Sequence, residues 1–193
     1  MKLLLVYATT EGQTQKIAEF VADHLARVGH ETRVVNATDA TGIADADPHK
    51  FDAVVIAASI HAGQYQSAIV DFVRNHVPSI NARPNAFLSV SLAAASQDHD
   101  DVHGLEQCLT RFTQQTGWNP RLTHHVAGAF RYTSYDFLKR WAMKYIAYRK
   151  GAPTDTSRDY ELTDWADLAR FIEVFAGKSG GLHDRREAPH GRP

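Results

Sequence analysis

The sequence predicts an α/β fold, a doubly wound sheet of five parallel strands with helices on both faces. Three observations predict it. Strand-length apolar segments alternate along the chain with segments whose apolar residues recur at helical spacing. The first of them, Leu3 to Ala8, is apolar throughout rather than at alternate positions, as a strand covered on both faces must be. Most strands are followed by a helix before the next begins, the pattern of right-handed parallel crossovers.

The elements follow in order. After the first strand and a polar turn, Ile17, Ala18, Val21, Ala22, Leu25 and Val28 mark a helix from Gln13 to Val28, stopped by Gly29. A short strand is expected over Glu31–Val35, then a weak polar connection through Asp45–Pro48 and a strong third strand from Asp52 to Ser59. A loop is expected over Ser59–Tyr65. Ile69, Phe72, Val73 and Val77 give a helix ended by Pro78, Ala86–Leu92 the fourth strand, and Leu105, Leu109 and Phe112 a helix ended by Gly117. Thr123–Phe130 is the fifth strand. Trp165, Leu168, Ala169, Ile172 and Phe175 then share a face of a closing helix capped by Thr163 or Asp164. The expected organisation is one domain over residues 1–176 and a disordered tail over 177–193, where Gly, Pro and charge replace apolar residues.

Composition narrows the function. With 193 residues, 44% hydrophobic and 22% charged, the chain buries one substantial core. A net charge of -1 gives no global reason to expect nucleic acid as a partner. One cysteine, Cys108, excludes an internal disulfide and a multi-cysteine metal site, and reads as a core thiol on a helix. The apolar start is too short for a secretory signal, and no stretch approaches the roughly 20 residues of a membrane span. The expectation is a cytoplasmic protein, soluble or peripheral on the inner face of the cell membrane.

In such sheets ligands bind beyond the carboxyl ends of the strands. The first loop there, Thr9-Thr10-Glu11-Gly12-Gln13-Thr14, joins a buried strand to a helix N-terminus, so hydroxyls and free backbone N–H groups converge where the helix dipole favours an anion. A phosphate suits that place. The alternative is that Thr9 and Thr14 only cap the helix. No lysine occupies the loop and neither G-x-x-x-x-G-K-[ST] nor G-x-G-x-x-G is present, which argues against a nucleoside triphosphatase and a dinucleotide-binding domain. Glu11 would repel a phosphate through its carboxylate, so it is expected to offer only its N–H.

Thr9-x-x-Gly12-Gln13-Thr14 resembles the [ST]-x-x-G-x-T phosphate signature of the flavodoxins, which bind FMN. The resemblance implies a flavodoxin-like sheet in the order 2-1-3-4-5, with Thr9, Thr10, Glu11, Gly12, Gln13 and Thr14 around the FMN phosphate. It also implies that the flavin ring lies between the loops after strands three and four. Ser59, Ile60, His61, Gly63 and Tyr65 would flank it on one side, and Leu92, Ala93 and Ala94 on the other. Tyr65 would stack on the ring or simply start a helix. His61 is the one catalytic candidate, against the commoner fate of a solvated loop histidine.

Further fragments narrow the resemblance: Ala58-Ser59-Ile60-x-x-Gly63-x-Tyr65, Ser89-Val90-x-Leu92, Ala127-Gly128-Ala129-x-Arg131-Tyr132, Thr154-Asp155-Thr156 and Tyr160-x-x-Thr163-Asp164-Trp165. Together they resemble the flavodoxin-like, menaquinone-dependent protoporphyrinogen oxidases (protoporphyrinogen IX dehydrogenases). That family passes reducing equivalents from protoporphyrinogen IX through FMN to a respiratory quinone in heme biosynthesis. Two departures stand out: Ala93 to His103 is acidic and histidine-rich rather than basic, and the tail has no counterpart. The alternatives are a flavodoxin-type electron carrier, an NAD(P)H:quinone reductase-like flavoprotein and a flavin-free binding module on the same scaffold.

An insertion at about 131–160 is basic and aromatic. Over Arg131 to Gly151, Arg131, Lys139, Arg140, Lys144, Arg149 and Lys150 face one acid, Asp136, and Phe137, Trp141, Tyr145 and Tyr148 form a helical stripe. This suits an anionic membrane surface or a porphyrin carboxylate, or else a helix packed on the domain with its cations in solvent. No metal site is expected. His99 and His103 are four apart beside Asp98, Asp100 and Asp101 but lack a third fixed ligand, and His124 and His125 point to opposite faces of a strand. A receiver domain would need acids where Thr9, Thr10 and Ser59 stand, and a hydrolase elbow G-x-S-x-G is missing around Ser59.

Overall fold

The computed structural model describes residues 1–96, 98–130 and 160–187. Its main sheet holds β1 (Lys2–Ala8), β2 (Glu31–Asn36), β3 (Ala53–His61), β5 (Asn85–Ser91) and β6 (Leu122–Ala127), all parallel, in the order β2-β1-β3-β5-β6. A two-residue strand, β4 (Gln64–Tyr65), pairs antiparallel with the end of β3. The five long strands carry the 2-1-3-4-5 order expected from the resemblance.

Alternate residues of β1 enter two cores. Leu3, Leu5 and Tyr7 pack with Ile17, Val21 and Leu25 of α1 (Gln13–Arg27) and with Leu168, Ile172 and Phe175 of α5 (Trp165–Glu187). Leu4 and Val6 pack with Ile69, Phe72 and Ile80 of α3 (Ser67–Asn81), with Phe112 of α4 (His99–Thr116) and with Trp118. Two covered faces are why the strand shows no alternation in its sequence. Cys108 is buried on α4, as expected. The polar connection after β2 contains a short helix, α2 (Ala40–Ala44), and a 3₁₀ turn over Pro48–Lys50.

Four boundaries differ from expectation, each for a local reason. Pro78 lies inside α3, because its missing N–H removes one bond while buried Ile80 and the Ser79 hydroxyl, bonded to the His76 carbonyl at 2.8 Å, carry the helix another turn. The fifth strand breaks at Gly128, whose N–H bonds the Ser91 carbonyl at 3.0 Å. β7 (Ala129–Phe130) then pairs antiparallel with β8 (Tyr160–Glu161) in a separate ribbon. The loop after β3 is a hairpin instead. Finally, α5 continues through Gly177 to Glu187: the buried Ser179 hydroxyl donates to the Phe175 carbonyl at 2.7 Å, so residues 177–187 are helical where a tail is expected. Residues 188–193 and residues 131–159 of the insertion lie outside the described residues.

Three histidines make this fold sensitive to acid. Burial lowers the pKa of His124, partly offset by Asp167 and Asp164. Burial and then the neighbouring His124 lower that of His125, against Glu106, and burial and the N-terminal ammonium lower that of His30. Each folded pKa sits below the ordinary 6.5, so below that pH the unfolded chain binds more protons than the folded one. Their stabilisation is fully present above 6.5 and is lost as pH falls through the lower folded values. Melting temperature is therefore expected to drop from about pH 7 to about pH 5, and less so in a His124→Gln/His125→Gln variant. Equal slopes for the two proteins would refute the assignment.

Candidate functional site

Beyond the carboxyl ends of β1, β3, β5 and β6 lies a half-open hollow. Thr9, Thr10, Glu11, Gln13 and Thr14 line one side, Ser59, Ile60 and His61 the second, Val90, Ser91 and Leu92 the third, and Gly128 and Ala129 the floor beyond β6. An adjoining open hollow shares Ile60, His61, Ser91 and Leu92, and adds Ala62, Gly63 and Ala93. The structure thus brings together the three loops that the sequence places far apart.

The first loop is built to receive an anion. Gly12 takes a left-handed conformation (φ 87°) as the residue before α1 and has no side chain to cap the helix. Its N–H donates to Thr9 Oγ at 2.8 Å, a turn closed by a hydroxyl. The helical ladder begins with Lys16 N–H to the Gly12 carbonyl at 3.2 Å, so the N–H groups of Gln13, Thr14 and Gln15 have no acceptor within the helix. Thr14 is fully buried, and its Oγ has no hydrogen-bond partner. Neither threonine therefore caps α1 as the simpler alternative held: Thr9 closes the turn before the helix, and Thr14 lies inside its first turn with its hydroxyl unpaired. A buried hydroxyl left unpaired beside open N–H groups costs stability unless a ligand completes it.

Two tethers hold this loop. Gln13 is buried, and its Nε2 donates to Thr163 Oγ at 2.9 Å, while the Thr163 hydroxyl donates to the Ala127 carbonyl at 2.7 Å. Thr163 thus ties the loop to the end of β6, and Asp164 caps α5 by accepting the Asp167 N–H at 2.9 Å. Gln66, at the start of α3, supplies the other tether: its Nε2 donates to Thr10 Oγ at 3.2 Å and also to Ser59 Oγ.

The second loop is a two-residue turn. Ala62 (φ 49°) and Gly63 (φ 75°) both have positive φ, the geometry that matches the twist of paired strands, and Ile60 and His61 pair with Tyr65 and Gln64. From beneath, the Cys108 thiol donates to the Gly63 carbonyl at 3.3 Å. Tyr65, expected at the site, is a correction. The residue is 8% exposed, and its ring packs edge-on against Phe87 and Phe112 and shares a 2.8 Å hydrogen bond with the Ser89 hydroxyl. Burial drives its pKa up to about 12, so it is a neutral core phenol.

Ala94 lines neither hollow; its N–H donates to Ser91 Oγ at 3.1 Å and shapes the third loop from behind. His61 is exposed at the rim common to both hollows. Sequence reasoning missed Val90, Gly128 and Ala129 as lining residues. The signal for the last two was present, since Ala127-Gly128-Ala129 ends a strand at the same edge of the sheet. His99 and His103 stack at 6.4 Å, and among the described residues no group of three or more His, Cys, Asp or Glu side chains is placed to hold a metal.

Residues 4–157 match the protein family described as "Flavodoxin domain". Over 176 residues the chain is 34% identical to protoporphyrinogen IX dehydrogenase [quinone] of Escherichia coli K12, covering 91% of this chain and 95% of that protein. The chain belongs to this dehydrogenase branch of the flavodoxin domain family. A protoporphyrinogen IX dehydrogenase [quinone] of Leishmania major is also 34% identical, over 179 residues that cover 91% of this chain and 74% of that one. Among solved structures, oxidised flavodoxin 1 of Bacillus cereus superposes with a TM-score of 0.54 at 16% identity, over 92% of this chain and 98% of the other, a likeness of fold.

Proposed function

We propose that this chain is an FMN-dependent dehydrogenase that oxidises protoporphyrinogen IX and delivers the electrons to a respiratory quinone. The observation that carries the reading is the 34% identity that spans nearly all of the Escherichia coli relative, over a chain whose three strand-end loops converge on one cleft. The cleft suits FMN. Unpaired N–H groups at the start of α1 and the orphaned Thr14 hydroxyl are donors awaiting an anion, and hydroxyl and amide donors are what a phosphate monoester requires.

In this reading the hydroxyls of Thr9, Thr10 and Thr14, with the N–H groups of Glu11, Gln13 and Thr14, hold the phosphate, while Ser59 to Gly63, Leu92 and Ala93 flank the ring. The chemistry FMN supplies when bound is transfer of reducing equivalents from the porphyrinogen to the quinone, and the protein supplies orientation and electrostatics. Backbone groups of the Ala62-Gly63 turn stand at the ring end of the cleft, fixed by the Cys108 thiol from below. His61, on the rim common to both hollows, is the residue that meets a substrate edge in this reading. The basic aromatic insertion docks the protein on an anionic membrane face, where the lipid quinone resides. No helix among the described residues is long and apolar enough to cross a membrane.

Purified protein is expected to release FMN on denaturation, and the reconstituted protein to oxidise protoporphyrinogen with menaquinone but not with oxygen. It is expected to sediment with anionic vesicles and to remain in solution with neutral ones. Absence of turnover with menaquinone would defeat the enzymatic reading in favour of an electron carrier. Indifference to vesicle charge would defeat the membrane role of the insertion.

A further inference from the structure

Gln66 lies behind the cleft wall rather than on it, yet it touches two of the wall's hydroxyls. Its side-chain Nε2 bonds both Thr10 Oγ, in the first loop, and Ser59 Oγ, at the end of β3. Its Oε1 is buried with no hydrogen-bond partner. An amide placed for stability would satisfy both of its ends, and this one satisfies only the end that faces the cleft hydroxyls. The reversed amide would bury two unpaired N–H donors in place of one unpaired carbonyl, a worse arrangement.

A hydroxyl has one proton to give and two lone pairs to accept with. Where Gln66 donates to Thr10 and Ser59, it occupies a lone pair of each and leaves each proton to be directed elsewhere. Both hydroxyl groups also line the hollow, so that direction is available. We propose that Gln66 is a positioning residue that sets the Thr10 and Ser59 hydroxyls as donors into the cleft, Thr10 toward the phosphate and Ser59 toward the ring, and through Thr10 makes the site select phosphorylated over unphosphorylated flavin. The inference rests on the reading of the cleft as a flavin site. An anionic phosphate needs donors and gains from each one aimed at it, whereas the hydroxyl that replaces it in riboflavin both gives and accepts and is indifferent to their polarity.

The experiment is titration of the full-length apoprotein with FMN and with riboflavin, followed by flavin fluorescence. In Gln66→Met the FMN dissociation constant is expected to rise about tenfold, the loss of one charge-assisted hydrogen bond, and that of riboflavin less than about twofold. Apoprotein melting is expected to fall by no more than about 2–4 °C, the net loss of a hydrogen bond. Because Gln66 acts through the hydroxyls, the loss on Gln66→Met is expected to shrink when Thr10 is already Val, a coupling read from the double-mutant cycle. Equal weakening of both flavins, or losses that multiply independently in the double variant, would overturn the proposal. Wild-type protein that binds neither flavin would instead remove the flavin reading itself, and this inference with it.

Discussion

Replacing Thr14 by valine is expected to weaken FMN binding by about 10- to 100-fold and at the same time to stabilise the apoprotein by about 1 kcal/mol. The two effects have one cause. Thr14 is fully buried at the start of α1, and its Oγ finds no partner in the protein. In the absence of ligand the hydroxyl carries a desolvation cost that nothing offsets, and valine, of the same shape, removes that cost. With the phosphate present the same hydroxyl becomes a donor to an anion inside a low-dielectric pocket, worth about 1.5–3 kcal/mol. Fluorescence titration gives the affinity, and chemical denaturation of apo and loaded protein gives the stability. A residue serving only as a helix cap would behave in the opposite way: valine would destabilise the apoprotein and leave FMN affinity unchanged. The N-cap position of the helix is Gly12, with no side-chain cap, which already sets Thr14 apart from that role.

What the sequence made legible divides along physical lines. The parallel sheet was readable because burial on both faces writes continuous hydrophobicity into Leu3–Ala8 and Ala53–Ala58, and the sheet in turn fixes which loops meet. The phosphate loop was readable because its chemistry lies in six consecutive residues. Features made by distant partners were not. Gln66 bonds residues 56 and 7 positions away, and Thr163 joins Gln13 across 150 positions; neither leaves a local pattern. The hairpin at Ala62-Gly63 was hidden because it lacks the Asn-Gly or Asp-Gly pair that usually marks such turns. Gly177 to Gly181 looked like a helix end, and there tertiary burial of Ser179 overrode the poor helix propensity of glycine.

Tyr65 shows most sharply how packing reassigns a residue that looked functional. Its place after Gly63, in a loop expected to flank a flavin, offers an aromatic ring for stacking, yet period-two geometry in β4 turns that ring inward. Truncation to alanine is expected to cost about 3–5 kcal/mol of stability, since it removes the ring packed edge-on against the stacked pair Phe87 and Phe112. Because Tyr65 pairs with Ile60 in the hairpin ladder, the same change is expected to loosen the wall shared by the two hollows and to weaken FMN binding secondarily. Tyr65→Phe separates the two roles. It keeps the ring and deletes only the bond to Ser89, so it is expected to lose about 1 kcal/mol and to leave the flavin absorbance spectrum and affinity as they were. A phenol stacked on the cofactor would instead shift the flavin bands on losing its hydroxyl, with little change in the stability of the apoprotein. The edge-on contacts, the Ser89 hydrogen bond and the pKa pushed up to about 12 all describe a side chain whose work is to hold the hairpin to the sheet.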